Sequence, residues 1–142
     1  MAGLNREKLI VLAEEAGKAI IQLRQYAVAP SDQILASVEK LGSLKYHFVL
    51  AIEASIDICQ HITSRLFSDV PESYADCFKA LAEHKVIDKE LSDQMGDLAR
   101  FRNVLVHLYW KVDNGIVVDK LSQIERIERY LKEVFAFCEK QW

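Results

Sequence analysis

The sequence predicts an all-α protein: an antiparallel bundle of four to five helices in one domain spanning residues 1–142. Three observations lead there. Apolar residues recur at three- and four-residue steps through most of the chain, which is the period of an α-helix. Only two prolines and five glycines interrupt the 142 residues. The composition is 51% hydrophobic, enough to fill a core without help from disulfides or metals.

The first helix is expected from about Asn5 to Val28, with Leu9, Leu12, Ala16, Ile20, Leu23 and Ala27 on one side. Pro30 ends it, and Ser31 is expected to cap the next helix. That second region carries Ile34, Leu35, Val38 and Leu41, with Gly42-Ser43 as the place where it bends or splits. It continues through Tyr46, Val49, Ile52, Ile56 and Ile62 to about Phe67. Apolar residues surround the stretch from Phe48 to Ile62, so this helix should sit centrally. Glu53 and Asp57 lie four apart within it. They read either as an acidic pair near a site or as a solvated or partner-facing strip or an ion pair to a basic residue, four-residue acid spacing being common.

Val70-Pro71-Glu72-Ser73 is a turn, and a short helix follows from Ser73 to His84. Asp88 is a good cap for a helix that starts near Lys89 and uses Leu91, Met95, Leu98, Phe101, Leu105 and Leu108. Asp113-Asn114-Gly115 signals a turn, and Ile116-Val117-Val118 are β-branched but too few for a sheet. The last helix is expected from Lys120 to Lys140, with Leu121, Ile124, Ile127, Leu131, Val134 and Phe135 facing inward.

Composition excludes several classes. The net charge of −3 argues against general nucleic-acid affinity, so any RNA contact must come from a local basic cleft. No apolar run is long enough to cross a membrane, and residues 1–8 lack the apolar stretch of a signal peptide. A cytoplasmic location without membrane contact is therefore expected. Cys59, Cys77 and Cys138 have no metal-type spacing and read as buried reduced thiols.

The segment Arg102-Asn103-Val104-Leu105-Val106-His107-Leu108-Tyr109 carries the chemistry. It sets an arginine, an amide, an imidazole and a phenol in an otherwise apolar stretch. Arginine suits phosphate, and histidine exchanges a proton near neutral pH. On an ideal helix Asn103 and His107 share a face. Arg102 and Tyr109 nearly eclipse about 10 Å apart, and Arg102 and His107 diverge by about 140°. The arginine side chain is long enough to bend round part of that angle. RNA supplies its own nucleophile, the ribose 2′-OH. His107 would serve either proton step, Arg102 would stabilise charge at phosphorus, and Asn103 would orient His107 or hold a phosphate oxygen. The scheme needs no metal and no cofactor. From spacing alone, Arg102 is more often a surface ion-pair partner, His107 a structural histidine, and Tyr109 and Trp110 packing residues. His47, His61 and His84 have no comparable company.

Arg102 through His107 resembles the signature of HEPN domains, an arginine and a histidine separated by four to six residues. With Leu108-Tyr109 the pattern becomes R-x4-H-x-Y, similar to the HepT-like branch. Ala51-Ile52-Glu53-Ala54-Ser55-Ile56-Asp57-Ile58, Val70-Pro71-Glu72-Ser73-Tyr74 and Phe101-Arg102-Asn103 follow in the family's usual order. The resemblance implies a metal-independent ribonuclease toxin of a toxin–antitoxin pair. It implies a homodimeric helical bundle whose two motifs face a shared cleft. Arg102 and His107 would be catalytic, assisted by Asn103. The partner would be a minimal nucleotidyltransferase antitoxin that transfers AMP from ATP to Tyr109 and so silences the toxin. Two other readings compete. One is a helical partner that regulates a nucleotidyltransferase without cutting RNA. The other is a dimerisation bundle whose polar motif only pins an interface.

Overall fold

A computed structural model describes residues 3–142, and every regular element in that range is helical. Five longer helices make the bundle: α1 (Arg6–Ala27), α3 (Val38–Ile62), α4 (Tyr74–Glu83), α5 (Lys89–His107) and α7 (Ile124–Glu139). Two short ones, α2 (Ser31–Leu35) and α6 (Asn114–Asp119), join them.

Local chemistry sets most of the helix starts. The side chain of Asn5 accepts from Lys8 N, Ser37 from Lys40 N, Ser73 from Asp76 N and Asp88 from Leu91 N, each satisfying a backbone donor that the helix leaves open. The chain departs from the sequence expectation in several places. Ser31 is the first residue of α2 rather than its cap, since Pro30 holds the cap position with no side-chain bond. The break before the central helix falls at Ala36 and Ser37, where Ser37 restarts the helix, and α3 runs unbroken through Gly42. The last turn after α3, Thr63–Phe67, is a π-helix closed by Ser68 at φ 53°. Asp113 does not close a turn; it caps α6 by accepting from Gly115 N and Ile116 N. α6 then turns the β-branched Val117 and Val118 inward, where burial outweighs their modest helix propensity. Finally, Lys120–Gln123 form a 3₁₀ turn, so regular α-helix begins at Ile124.

α3 is the axis of the molecule. Phe48, Ala51, Ile52, Ala54, Ser55, Ile56, Ile58, Cys59 and Ile62 are all buried, which covers most of its circumference. Each large apolar side chain removed from water in this way contributes about 1.5–3 kcal/mol. α1 runs antiparallel to α3, since Asn5 at its start meets His61 near the end of α3. α4 and α5 are also antiparallel, because Tyr74 at the start of α4 lies against Arg102 near the end of α5. α7 closes the bundle: Tyr130 is fully buried, sets its ring edge-on to Phe78 and donates its hydroxyl to Ser55 O at 2.8 Å. All three cysteines are buried and unpaired. No helix is long and apolar enough to cross a membrane among the described residues.

Candidate active site

α5 carries the Arg102–Tyr109 motif to the surface. Its inner face holds Leu91, Met95, Leu98, Phe101 and Leu105 in the core, and Phe101 packs edge-on against Phe48 of α3. Arg102 follows Phe101 directly, so its side chain emerges at the rim between α5, α3 and α4. The helix ends at His107. Leu108 leaves helical geometry at φ −126° and ψ 37°, and Tyr109–Lys111 form a 3₁₀ turn. Tyr109 therefore does not continue the helical line from Arg102, and the eclipsed arrangement expected from an ideal helix is not formed.

The structure does bring Arg102 and His107 together across their angular separation. Arg102 Nη1 donates to His107 Nε2 at 3.4 Å and to Asn103 Oδ1 at 3.0 Å. Arg102 Nε donates to Glu53 Oε2 of α3 at 2.7 Å. The guanidinium also lies over the Tyr74 ring, with Cζ 5.4 Å from the centroid. The Arg102 side chain is only 11% exposed, against 36% for Glu53. A guanidinium has no acceptor, so in this contact Arg102 is the donor and His107 Nε2 the acceptor.

Glu53 joins two readings of the sequence: it is an ion-pair partner, and its cation is the motif arginine. The four-residue spacing in α3 gave no hint of this, because the partner lies 49 positions away. Spacing does not place Tyr74 beside Arg102 either, although Val70-Pro71-Glu72-Ser73-Tyr74 is one of the segments that carry the family resemblance. Asp57, one turn beyond Glu53, makes no bond to Arg102. Burial, and then the neighbouring Glu53, push its carboxyl above the ordinary 3.8, against the lowering pull of Lys8 and Arg102.

Tyr109 and Trp110 do not pack into the core. They are 71% and 65% exposed and touch each other edge-on at 5.3 Å. Val106, Leu108 and Ile116 are also exposed and add apolar surface to the same stretch of chain. The other histidines have structural partners. His47 Nδ1 lies 2.7 Å from Ser43 O. His61 Nε2 accepts from Asn5 N at 2.9 Å. His84 stacks on Phe67 and lies 3.2 Å from Asp69. Among the described residues no cluster of three or more histidine, cysteine or acidic side chains is arranged to hold a metal ion.

With this geometry in view, comparison with known proteins decides the family. Residues 16–134 match the family described as Ribonuclease HepT-like. The chain belongs to the HepT-like ribonuclease family. It is 33% identical over 85 residues to an mRNA nuclease HepT of Shewanella oneidensis, covering 59% of this chain and 64% of that protein. It is 26% identical over 125 residues to a tRNA nuclease HepT of Aphanizomenon flos-aquae, covering 87% and 85% of the two chains. The fold matches that of a solved structure, the tri-AMPylated Shewanella oneidensis HEPN toxin in complex with an MNT antitoxin. The TM-score is 0.83 at 25% identity, over 91% of this chain and 97% of that one. The match to this solved fold agrees with the all-α architecture.

Proposed function

We propose that this protein is a metal-independent endoribonuclease toxin, with Arg102 and His107 as catalytic residues assisted by Asn103. The observation that carries the reading is the 3.4 Å contact between Arg102 Nη1 and His107 Nε2. It sets a phosphate-binding cation beside an imidazole nitrogen at a helix end open to solvent. His107 Nε2 exchanges its contact with Arg102 Nη1 for the ribose 2′-OH and takes its proton, and the 2′-oxygen attacks the adjacent phosphorus. A second imidazole protonates the departing 5′-oxygen, leaving a cyclic phosphate. Arg102 stabilises the charge gathering on the phosphoryl oxygens. One chain offers one motif histidine. The second comes from a homodimer partner, and the exposed Val106, Leu108 and Ile116 supply apolar surface for pairing the two motifs about a twofold axis.

Names of relatives support the rest of the scheme: mRNA and tRNA nucleases, and a HEPN toxin AMPylated in complex with an MNT antitoxin. In this protein Tyr109 is the proposed acceptor. Its exposed hydroxyl attacks the α-phosphorus of ATP, pyrophosphate leaves, and the phenolic proton passes to solvent. The resulting group puts bulk and negative charge two residues from His107 and blocks RNA by occupancy and repulsion. The partner is a minimal nucleotidyltransferase, and both act in the cytoplasm.

The test incubates purified protein with RNA in EDTA. The expected result is fragments ending in cyclic phosphate, lost in Arg102→Ala and His107→Ala. Stable binding to a nucleotidyltransferase with no cleavage by the parent would overturn the catalytic reading in favour of a regulatory partner. For silencing, Tyr109→Phe should still cut RNA but escape inhibition by the nucleotidyltransferase, and mass spectrometry should find AMP-sized additions at Tyr109 in the parent alone.

A further inference from the structure

We propose that Glu53 is a positioning residue of this site, fixing the Arg102 guanidinium so that its unpaired Nη2 faces the scissile phosphate. The inference rests on the ribonuclease reading for its kinetic consequences, while its geometric core stands alone. An arginine carries five N–H donors in a rigid plane. Glu53 takes the Nε donor from α3 at 2.7 Å. Tyr74 backs one face of the plane from the start of α4. Asn103 and His107 meet Nη1. Nη2 has no hydrogen-bond partner among the described residues. A carboxylate that gripped Nη2 would close the nitrogen that phosphate needs. A carboxylate on Nε fixes the orientation and leaves Nη2 open.

Glu53 is also set apart from its neighbour. Asp57 shares its face of α3 but makes no bond to the guanidinium, so the anchoring falls to one carboxylate. The placement has an electrostatic cost, because an anion beside Arg102 weakens the pull on an RNA phosphate. If Glu53 mattered only through charge near the substrate, its removal would tighten RNA binding and leave or raise the rate. If it aims Arg102, its removal lowers the rate whatever happens to binding.

The experiment compares the parent with Glu53→Gln and Glu53→Ala in the full chain. It measures kcat and KM for RNA cleavage, the thermal melt, and the 15N-edited NMR signal of the Arg102 Nε–H. The expected result is a kcat reduced about 10- to 100-fold in the alanine variant with KM unchanged or lower. The glutamine variant should be partly rescued, since its amide oxygen still accepts from Nε. The protected Nε–H signal should weaken in glutamine and vanish in alanine. Parental kcat in a folded alanine variant would overturn the proposal. Should the parent itself fail to cleave RNA, the ribonuclease reading falls, and the Nε–H signal decides the positioning claim separately: lost in Glu53→Ala it stands, unchanged it falls.

Discussion

Tyr130 and Arg102 both reach α3, at Ser55 and Glu53, two residues apart, and the two contacts are built differently. Tyr130 is fully buried, and its single donor has a single backbone acceptor, so nothing is left to offer a ligand. Arg102 is held at the rim by one donor to Glu53, shares a second nitrogen between Asn103 and His107, and keeps further donors in reserve. The same helix thus anchors a closed polar contact that serves stability and an open one suited to binding. The difference lies in the surplus of donors, since both side chains are mostly removed from water.

Mutation should separate the two contacts, and the largest effect belongs to the open one. Arg102→Ala or His107→Ala should lower the RNA cleavage rate by about 10²–10⁴-fold, the usual scale for losing a general base or a charge-stabilising donor. His107 is exposed, so its melting temperature should hardly move, and a melt run beside the cleavage assay checks this. Tyr130→Phe should do the reverse. It removes one buried hydrogen bond, worth about 0.5–1.5 kcal/mol, which urea unfolding would register while cleavage stays at the parental rate. A large loss of cleavage in folded Tyr130→Phe would erase the distinction between the contacts.

Two smaller effects sharpen it. His61 is a closed contact like Tyr130, but it titrates. Its Nε2 accepts from Asn5 N and must be unprotonated to do so. Burial, then Arg65 and Lys8, hold its pKa below the ordinary 6.5. The unfolded chain therefore takes up a proton first as pH falls. The stability due to neutral His61 is present above pH 6.5 and is lost as pH drops through the lowered folded value. Melting temperatures from pH 7.5 down to 5 should fall in the parent, and less steeply in His61→Gln. Asp57 works with the opposite sign. Its raised pKa means that ionisation disfavours the folded state, so its contribution is favourable below pH 3.8 and disappears as pH rises through the folded value. Asp57→Asn should give a slight rise in melting temperature at pH 7 and none below 3.8. A clear loss at pH 7 would mean that the attraction of Lys8 outweighs burial.

Much of this was legible in the sequence because its causes are local. Asp88 caps α5 as its side chain and position foretell, and the apolar stripe from Leu91 to Leu105 faces the core. The Arg102–His107 pair was readable from arginine's reach. What escaped depends on distant partners or on competing local effects. The ion pair of Glu53 spans 49 residues, and no spacing within α3 reports it. α6 was hidden by its β-branched residues, which fold as helix because Asp113 caps them and the core buries Val117 and Val118. The stop of α5 at His107 has no glycine or proline to announce it, so helical spacing carries Tyr109 along a helix that has already ended. The break falls at Ser37 and not at Gly42, because a cap that restarts a helix outweighs a tolerated glycine.

The central claim is that Arg102 and His107 act together on an RNA phosphodiester whose own 2′-OH is the nucleophile. The most direct measurement takes an RNA cut by the parent in EDTA and replaces the ribose on the 5′ side of the cut with deoxyribose. The account predicts that cleavage at that position stops while other sites are still cut. Continued cutting there, with a 5′-phosphate on the product, would contradict it.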